Sequence, residues 1–168
     1  SRRLREIVDD LLTVARTESL SRNWADISLL LTSLLHDIAD TIPQNVRMEY
    51  TTSGENFRAL VDVPQLTVAV RNVMDNAWQA IGSRTDGLIR VRTSESSETI
   101  TIEINDNGIG MSQQTMEHLF QPFYTERPGG SGIGTVILKR VVEGHGGSVH
   151  VESHQGHGSR FILTIPRT

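Results

Sequence analysis

Thr99-Ile-Thr-Ile-Glu-Ile-Asn-Asp106-Asn-Gly108-Ile-Gly110 is the stretch on which the fold turns. Ile100, Ile102 and Ile104 alternate with polar residues, the period of a strand with one buried face. That strand runs straight into an aspartate and two glycines. Gly108 and Gly110 can take positive φ and let a flat ligand approach the backbone. Asp106 stands where it could accept a hydrogen bond from such a ligand. Further along, Gly129-Gly130-Ser131-Gly132-Ile133-Gly134 opens an apolar helical stretch over 136–142. Glycines before a helix start leave free N–H groups and a positive dipole end, a seat for phosphate. One half suits a base and the other suits phosphates. Each also has a plain alternative, a hairpin turn and a flexible loop, so a third component is required.

Upstream, Asp62 and Pro64 announce a helix whose core face is Leu66, Val70, Val73, Met74, Ala77 and Ile81, stopped by Gly82. Asn72 and Asn76 sit four apart on one side of it. Asparagine is a poor interior helix residue, because its amide competes for backbone hydrogen bonds. Two of them are either exposed amides or a neutral oxygen pair that can ligate a hard cation such as Mg²⁺.

The rest of the chain frames these pieces. A helix over 1–19 carries Leu4, Ile7, Val8, Leu11, Leu12 and Ala15 as an apolar stripe that wants a partner helix. A polar break over 19–23 precedes a second amphipathic helix with Ile27, Leu30, Leu31, Leu34, Leu35 and Ile38 inward, ending near Pro43; His36 on it reads as solvated. Strands are expected over 46–51 and 57–61, joined through Ser53-Gly54, and over 88–93 and 99–105 as an antiparallel hairpin. Ser112 caps a short helix reaching His118, and Phe120, Pro122, Phe123 and Tyr124 form an aromatic cluster able to anchor a mobile loop. Arg127 follows, where a guanidinium could reach a phosphate. Strands over 148–153 and 160–166 close the chain, and His145, His154 and His157 read as surface or turn histidines without metal spacing.

Composition narrows the class. The 168 residues suffice for one domain with a core. No cysteine is present, which excludes disulfides and thiolate metal sites and fits a cytoplasmic protein. Net charge is −4, with Lys139 the single lysine and no basic stripe, so nucleic acid is not an expected partner. No run approaches the ~20 apolar residues of a membrane span, and no signal peptide is evident. The chain opens within a helical pattern and without methionine, so it is expected to be part of a larger protein, whose parent could be membrane-anchored.

With the pieces placed, the chain resembles the catalytic ATP-binding domain of two-component sensor histidine kinases, in the gyrase, heat-shock chaperone, kinase and mismatch-repair ATPase superfamily. Asn72-Val-Met-Asp-Asn76-Ala resembles the asparagine box, Asp106-Asn-Gly108-Ile-Gly110 the first glycine box, Phe120-Gln-Pro-Phe123 the phenylalanine box and Gly130-Ser-Gly132-Ile-Gly134 the second glycine box. The brief connection over 123–130 is similar to the short ATP lid of the nitrogen-regulation type. Residues 1–19 resemble the end of the second helix of the dimerisation and histidine-phosphotransfer hairpin, leaving 24–168 as the catalytic domain.

The resemblance implies an α+β fold, a two-layer sandwich with a mixed sheet of about five strands and helices on one face. It implies that Asp106 receives the adenine amino group, that Asn76 holds Mg²⁺ with Asn72 assisting, and that Gly108 and Gly110 border the base. Gly130, Gly132 and Gly134 would let the lid approach the phosphates, Arg127 would be the lid base, and Phe120 and Phe123 would anchor the lid. ATP and Mg²⁺ are the implied cofactors. The implied partners are the dimerisation hairpin, which carries the acceptor histidine, and a response-regulator receiver domain. The parent is expected to be a homodimer, with this portion monomeric. Two residues depart from the pattern, Thr135 where leucine is common and Trp78 where a smaller apolar residue is usual. Hydrolytic relatives place a glutamate one turn before the metal asparagine; here that place is Asn72, which cannot act as a base at neutral pH. Transfer to a protein histidine is therefore expected, without autophosphorylation of these residues alone. The rival readings are an ATP hydrolase, a non-enzymatic docking module and a serine-directed anti-sigma kinase.

Overall fold

The computed structural model describes Arg5, Val8, Leu12 and residues 19–168. The expected helix over 1–19 therefore falls outside the described residues except for those three, which are helical. In chain order the elements are β1 (Asn23–Asp26), α1 (Ile27–Ala39), β2 (Val46–Ser53), β3 (Arg58–Val61), α2 (Val63–Ile81), β4 (Gly87–Glu95), β5 (Thr99–Asp106), α3 (Gln113–Glu117), α4 (Gly134–Gly144), β6 (Ser148–Ser153) and β7 (Ser159–Pro166). The main sheet has five strands in the order β2-β4-β5-β7-β6. Its β2–β4 pair is parallel and the others antiparallel, so the expected mixed sheet is the one observed.

Period two decides which face is buried. Ile100, Ile102 and Ile104 of β5 point inward with Ile89 and Val91 of β4 and Phe161, Leu163 and Ile165 of β7. They meet the apolar stripes of α1, α2 and α4, whose buried residues recur at three and four. The opposite face is charged, with Glu103–Arg160–Glu152 and Glu49–Arg90 ion pairs across neighbouring strands and an Arg47–Glu49 pair along β2. Among the described residues no helix is long and apolar enough to cross a membrane.

Three details differ from the sequence reading. The polar break ends in a strand, β1, which pairs antiparallel with β3 in a separate two-stranded sheet. β2 and β3, though consecutive, thus belong to different sheets. The reason lies at the chain's end. Arg167 donates to the carbonyls of Ser96 and Arg58 and pairs with Glu95, whose other oxygen accepts from the backbone of Glu55 and Asn56. Finally, His145 is not a surface histidine: it is 3% exposed. Its Nδ1–H donates to the Val141 carbonyl at 2.7 Å and its Nε2 accepts from the Asp62 N–H at 2.9 Å, joining the end of α4 to the start of α2. A ring held between a donor and an acceptor is neutral, and burial holds its pKa below the ordinary value. His36, by contrast, is exposed as expected.

Candidate functional site

The site begins on α2. The Asp62 carboxylate caps it by accepting from the Gln65 N–H at 3.1 Å. Helical spacing then aligns Asn72, Asn76 and Gln79 beside the buried stripe. The Asn72 amide nitrogen donates to the Val68 carbonyl at 3.1 Å. Its Oδ1 therefore faces the start of α4, where a Cβ on Gly134 would lie 2.8 Å away.

The alternation of β5 supplies the acid. Asp106 continues the inward row of Ile100, Ile102 and Ile104, so its carboxylate is buried, 5% exposed, at the end of the sheet. Its Oδ1 accepts from the Gly108 N–H at 2.8 Å. Burial pushes its pKa up, opposed by the backbone hydrogen bonds from Gly108 and Ser159 and by the facing Arg127 guanidinium. The glycines also serve the protein's own packing. A Cβ on Gly108 would lie 2.6 Å from the Ala80 backbone, and the neighbouring Ile109 N–H donates to the Ala80 carbonyl at 3.0 Å. Gly110 adopts φ 67°, and a Cβ there would overlap the His154 carbonyl. Both glycines let the protein approach itself, welding the Asp106 loop to α2 and to the β6–β7 turn.

The lid, residues 120–133, is held otherwise. Phe120 is half-buried, with the Lys139 ammonium 5.1 Å from its ring centroid. Phe123 departs from the expected anchor: its side chain is 65% exposed and its backbone sits at φ 66°. It is the Phe123 backbone that binds, through its N–H to the Gly132 carbonyl at 3.0 Å. Gly132 is tight because a Cβ there would meet the Phe123 carbonyl carbon at 2.6 Å. Glu126 accepts from Thr115 Oγ1 at 2.6 Å and Tyr124 OH at 2.9 Å, and Tyr124 stacks on His118. Thr135 explains its departure from leucine by donating its hydroxyl to the Leu119 carbonyl, tying the first turn of α4 to the end of the α3 segment.

Between the two halves lies a cleft of about 1260 Å³ lined by Asn72, Asn76, Asp106, Gly110, Arg127, Gly130, Gly132 and Gly134. Of the expected site residues, Gly108, Phe120 and Phe123 do not line it. Sequence reasoning missed Gln79, Trp78 and Tyr124, which do. Gln79 was legible as the next turn of the Asn72–Asn76 row. Trp78 donates Nε1–H to Asp75 Oδ1 at 3.3 Å on the cleft rim. Arg127 reaches across, its Nη1 lying 3.4 Å from Asn76 Oδ1 and 3.5 Å from Gln79 Oε1. A cation therefore already rests on the oxygen expected to hold a metal. Among the described residues no three His, Cys, Asp or Glu side chains gather as a metal site. An ion here would take amide oxygens and its ligand's own phosphates, the donor set that suits hard Mg²⁺. A second depression of about 880 Å³, around Trp24, Arg58 and Arg167, has neither paired amides nor a glycine loop.

Comparison with known proteins agrees with this geometry. Residues 61–168 match the family described as histidine kinase-, DNA gyrase B- and HSP90-like ATPases. The sensor histidine kinase ZraS of Escherichia coli O157:H7 is 31% identical over 98% of this chain, which covers 36% of that protein. The sensor protein FixL of Bradyrhizobium diazoefficiens is 30% identical over 98% of this chain and 32% of its own. The chain thus spans about a third of the length of these relatives. The mycobacterial sensor histidine kinase MprB superposes with a TM-score of 0.75 at 27% identity, covering 86% of this chain and 97% of that one. The catalytic domain of histidine kinase ThkA superposes with a TM-score of 0.79 at 23% identity, covering 88% and 97%.

Proposed function

From the premise that this chain belongs to the histidine kinase-, DNA gyrase B- and HSP90-like ATPases, as an ATP-binding catalytic domain of the sensor-kinase kind, we propose that it delivers the γ-phosphoryl group of ATP to a histidine on a dimerisation hairpin. That phosphoryl group then passes to an aspartate of a response regulator. Residues 24–168 form the catalytic unit and residues 1–19 the end of the hairpin. The parent works as a homodimer whose ATP-dependent part lies in the cytoplasm.

The observation that carries this reading is the facing of Asp106 and Asn76 across one cleft. The Asp106 carboxylate accepts a hydrogen bond from the adenine amino group. Because it is buried and fixed by Gly108 and Ser159, it selects an amino-bearing base over a keto one. Asn76 Oδ1, with Asn72 Oδ1 one turn away, would hold Mg²⁺, which would supply positive charge against the phosphates. The backbone N–H groups of the lid and the first turn of α4, which has no side-chain cap, face the phosphate chain. Phosphoryl transfer needs mostly position and charge neutralisation. No glutamate stands at Asn72 to activate water, and this favours a protein acceptor over hydrolysis. A response regulator as partner is supported by the neighbouring ThkA, solved in complex with the response regulator protein TrrA.

Titration with ADP and Mg²⁺ tests the site. The native chain is expected to bind, and Asp106→Ala to lose about 100-fold in affinity, the scale of a buried hydrogen bond left unmade. Equal binding by the two rejects the assignment. Adding a hairpin carrying the acceptor histidine in trans should give labelled phosphohistidine on that hairpin. Label on His36 of the isolated chain would reject the transfer route.

A further inference from the structure

The first turn of α4 is tied down from outside its own helix. The N–H groups of Gly134, Thr135 and Val136 have no acceptor within the helix, whose first bond runs from the Ile137 N–H to the Ile133 carbonyl at 3.0 Å. Ile133, the cap residue, gives them no side-chain hydrogen bond. Two neighbours hold this turn. Gly134 lies so close to α2 that a Cβ there would come within 2.8 Å of Asn72 Oδ1. Thr135 donates its hydroxyl to the carbonyl of Leu119, a buried residue on the segment that leads into the lid. One turn on, along the same face of α4, the Lys139 ammonium sits 5.1 Å from the Phe120 ring centroid. Positions 135 and 139 thus grip successive residues of that segment. Asn72, Leu119, Gly134 and Thr135 all line the cleft.

We propose that Thr135 is a positioning residue whose hydroxyl fixes the start of α4 beside Asn72, so that its N–H groups meet the phosphates of a bound nucleotide. This rests on the nucleotide reading above. A threonine hydroxyl has a single proton to donate, and here the Leu119 carbonyl takes it. Thr135 is therefore no phosphate donor itself, and its action passes through the backbone. Leucine, common at this place, could hold the turn only by packing, which is non-directional. The hydroxyl adds a direction, and it satisfies a carbonyl on a buried residue that would otherwise lose its partner. A helix start already fixed needs no ordering when the phosphates arrive, so less affinity is lost to immobilising it. The base wall does not share this dependence. Its Asp106 loop is held across the cleft by the Ala80 carbonyl and by the close approach of Gly110 to His154.

Calorimetric titration with ADP at saturating Mg²⁺, and nitrogen-15 shift titration with adenosine, test this on wild type, Thr135→Val and Thr135→Ser. Valine keeps the shape and removes the donor, whereas serine keeps the donor. Thr135→Val is expected to weaken ADP binding about three- to tenfold, the scale of one hydrogen bond, and to leave adenosine within about twofold. Thr135→Ser should bind ADP as the wild type does. An unchanged ADP affinity in Thr135→Val overturns the proposal and leaves the nucleotide site standing. Equal weakening of ADP and adenosine, or a serine variant that behaves like valine, also overturns it, because either makes Thr135 a general packing residue. A wild type that binds no ADP rejects the nucleotide reading and this inference with it. One readout needs no variant. The amide resonances of Gly134, Thr135 and Val136 should move more on adding ADP with Mg²⁺ than on adding adenosine, and equal shifts count against a phosphate-facing turn.

Discussion

The two walls of the cleft are held by different kinds of force. On the Asp106 side the contacts are backbone to backbone, packed around the buried Gly108 and Gly158: Ile109 N–H to Ala80, Gly156 N–H to Ile109, and Gly158 close under the Asp106 carbonyl. On the lid side they are side-chain links, exposed for Thr115 and Tyr124 to Glu126 and half-buried for Arg127 to Asn76. Backbone contacts between packed elements open mostly with the fold, whereas side-chain links near the surface open locally at low cost. A site built this way separates its two tasks. The fixed wall decides which base is accepted, and the yielding wall decides when the phosphates are covered.

A matched pair of glycine substitutions is the strongest way to break that comparison. Gly110→Ala forces a Cβ against the His154 carbonyl at a positive φ, where neither backbone can give. It should lower stability by about 3 kcal/mol, combining left-handed strain with overpacking. Gly130→Ala brings its Cβ to 2.6 Å from Thr125 Oγ1, an exposed hydroxyl that can rotate away. Its effect should stay under about 1 kcal/mol. Equal losses in denaturant unfolding would mean that the lid is as fixed as the opposite wall.

The fixed wall also has a pH limit, set by His145 rather than by the site's acid. Burial holds the His145 ring below its ordinary value of 6.5, and the charge of Arg22 pushes it the same way. The unfolded chain therefore takes up a proton as the pH falls through 6.5 while the folded ring does not. Its contribution is present above 6.5 and lost progressively below. Asp106 acts in the opposite sense, since a raised carboxyl pKa disfavours the folded state as the pH climbs above 3.8. Melting temperature should thus fall from pH 7.5 to 5.5 in the wild type, and fall less steeply in His145→Gln. Parallel curves for the two would detach His145 from the acid sensitivity of the wall.

The same contrast separates what could be read from the sequence. Alternation in β5 and the three-four spacing in α2 are local periods, so the strand, the helix and the row ending in Asp106 were visible before any contact was known. The pairing of β1 with β3 was not, because it depends on Arg167, more than a hundred residues away, stitching the ribbon to Glu95. His145 was misread for a similar reason. Its burial is decided by Asp62 at the far end of a different helix. The glycines were recognised as special, yet composition alone could not tell room for a ligand from room for the Ala80 backbone. Phe123 was read as an anchor from its ring, whereas the lid uses its N–H.

The smallest expected effect probes the lid's own ties. Thr115 and Tyr124 donate to opposite oxygens of one carboxylate, Glu126, and Tyr124 stacks on His118, so the lid closes on α3 through a single acceptor. Thr115→Val keeps the shape and removes one donor, leaving Glu126 in water with its second bond intact. Because the carboxylate is solvated, the loss is mostly regained from solvent, and global unfolding should hardly change. Local opening is the sensitive measure. Amide exchange over residues 124–131 should speed up about two- to fivefold, while amides of β5 and α2 keep their protection. Acceleration extending into β5 would show that the two walls open together, and the division between a base-selecting and a phosphate-covering half would fail.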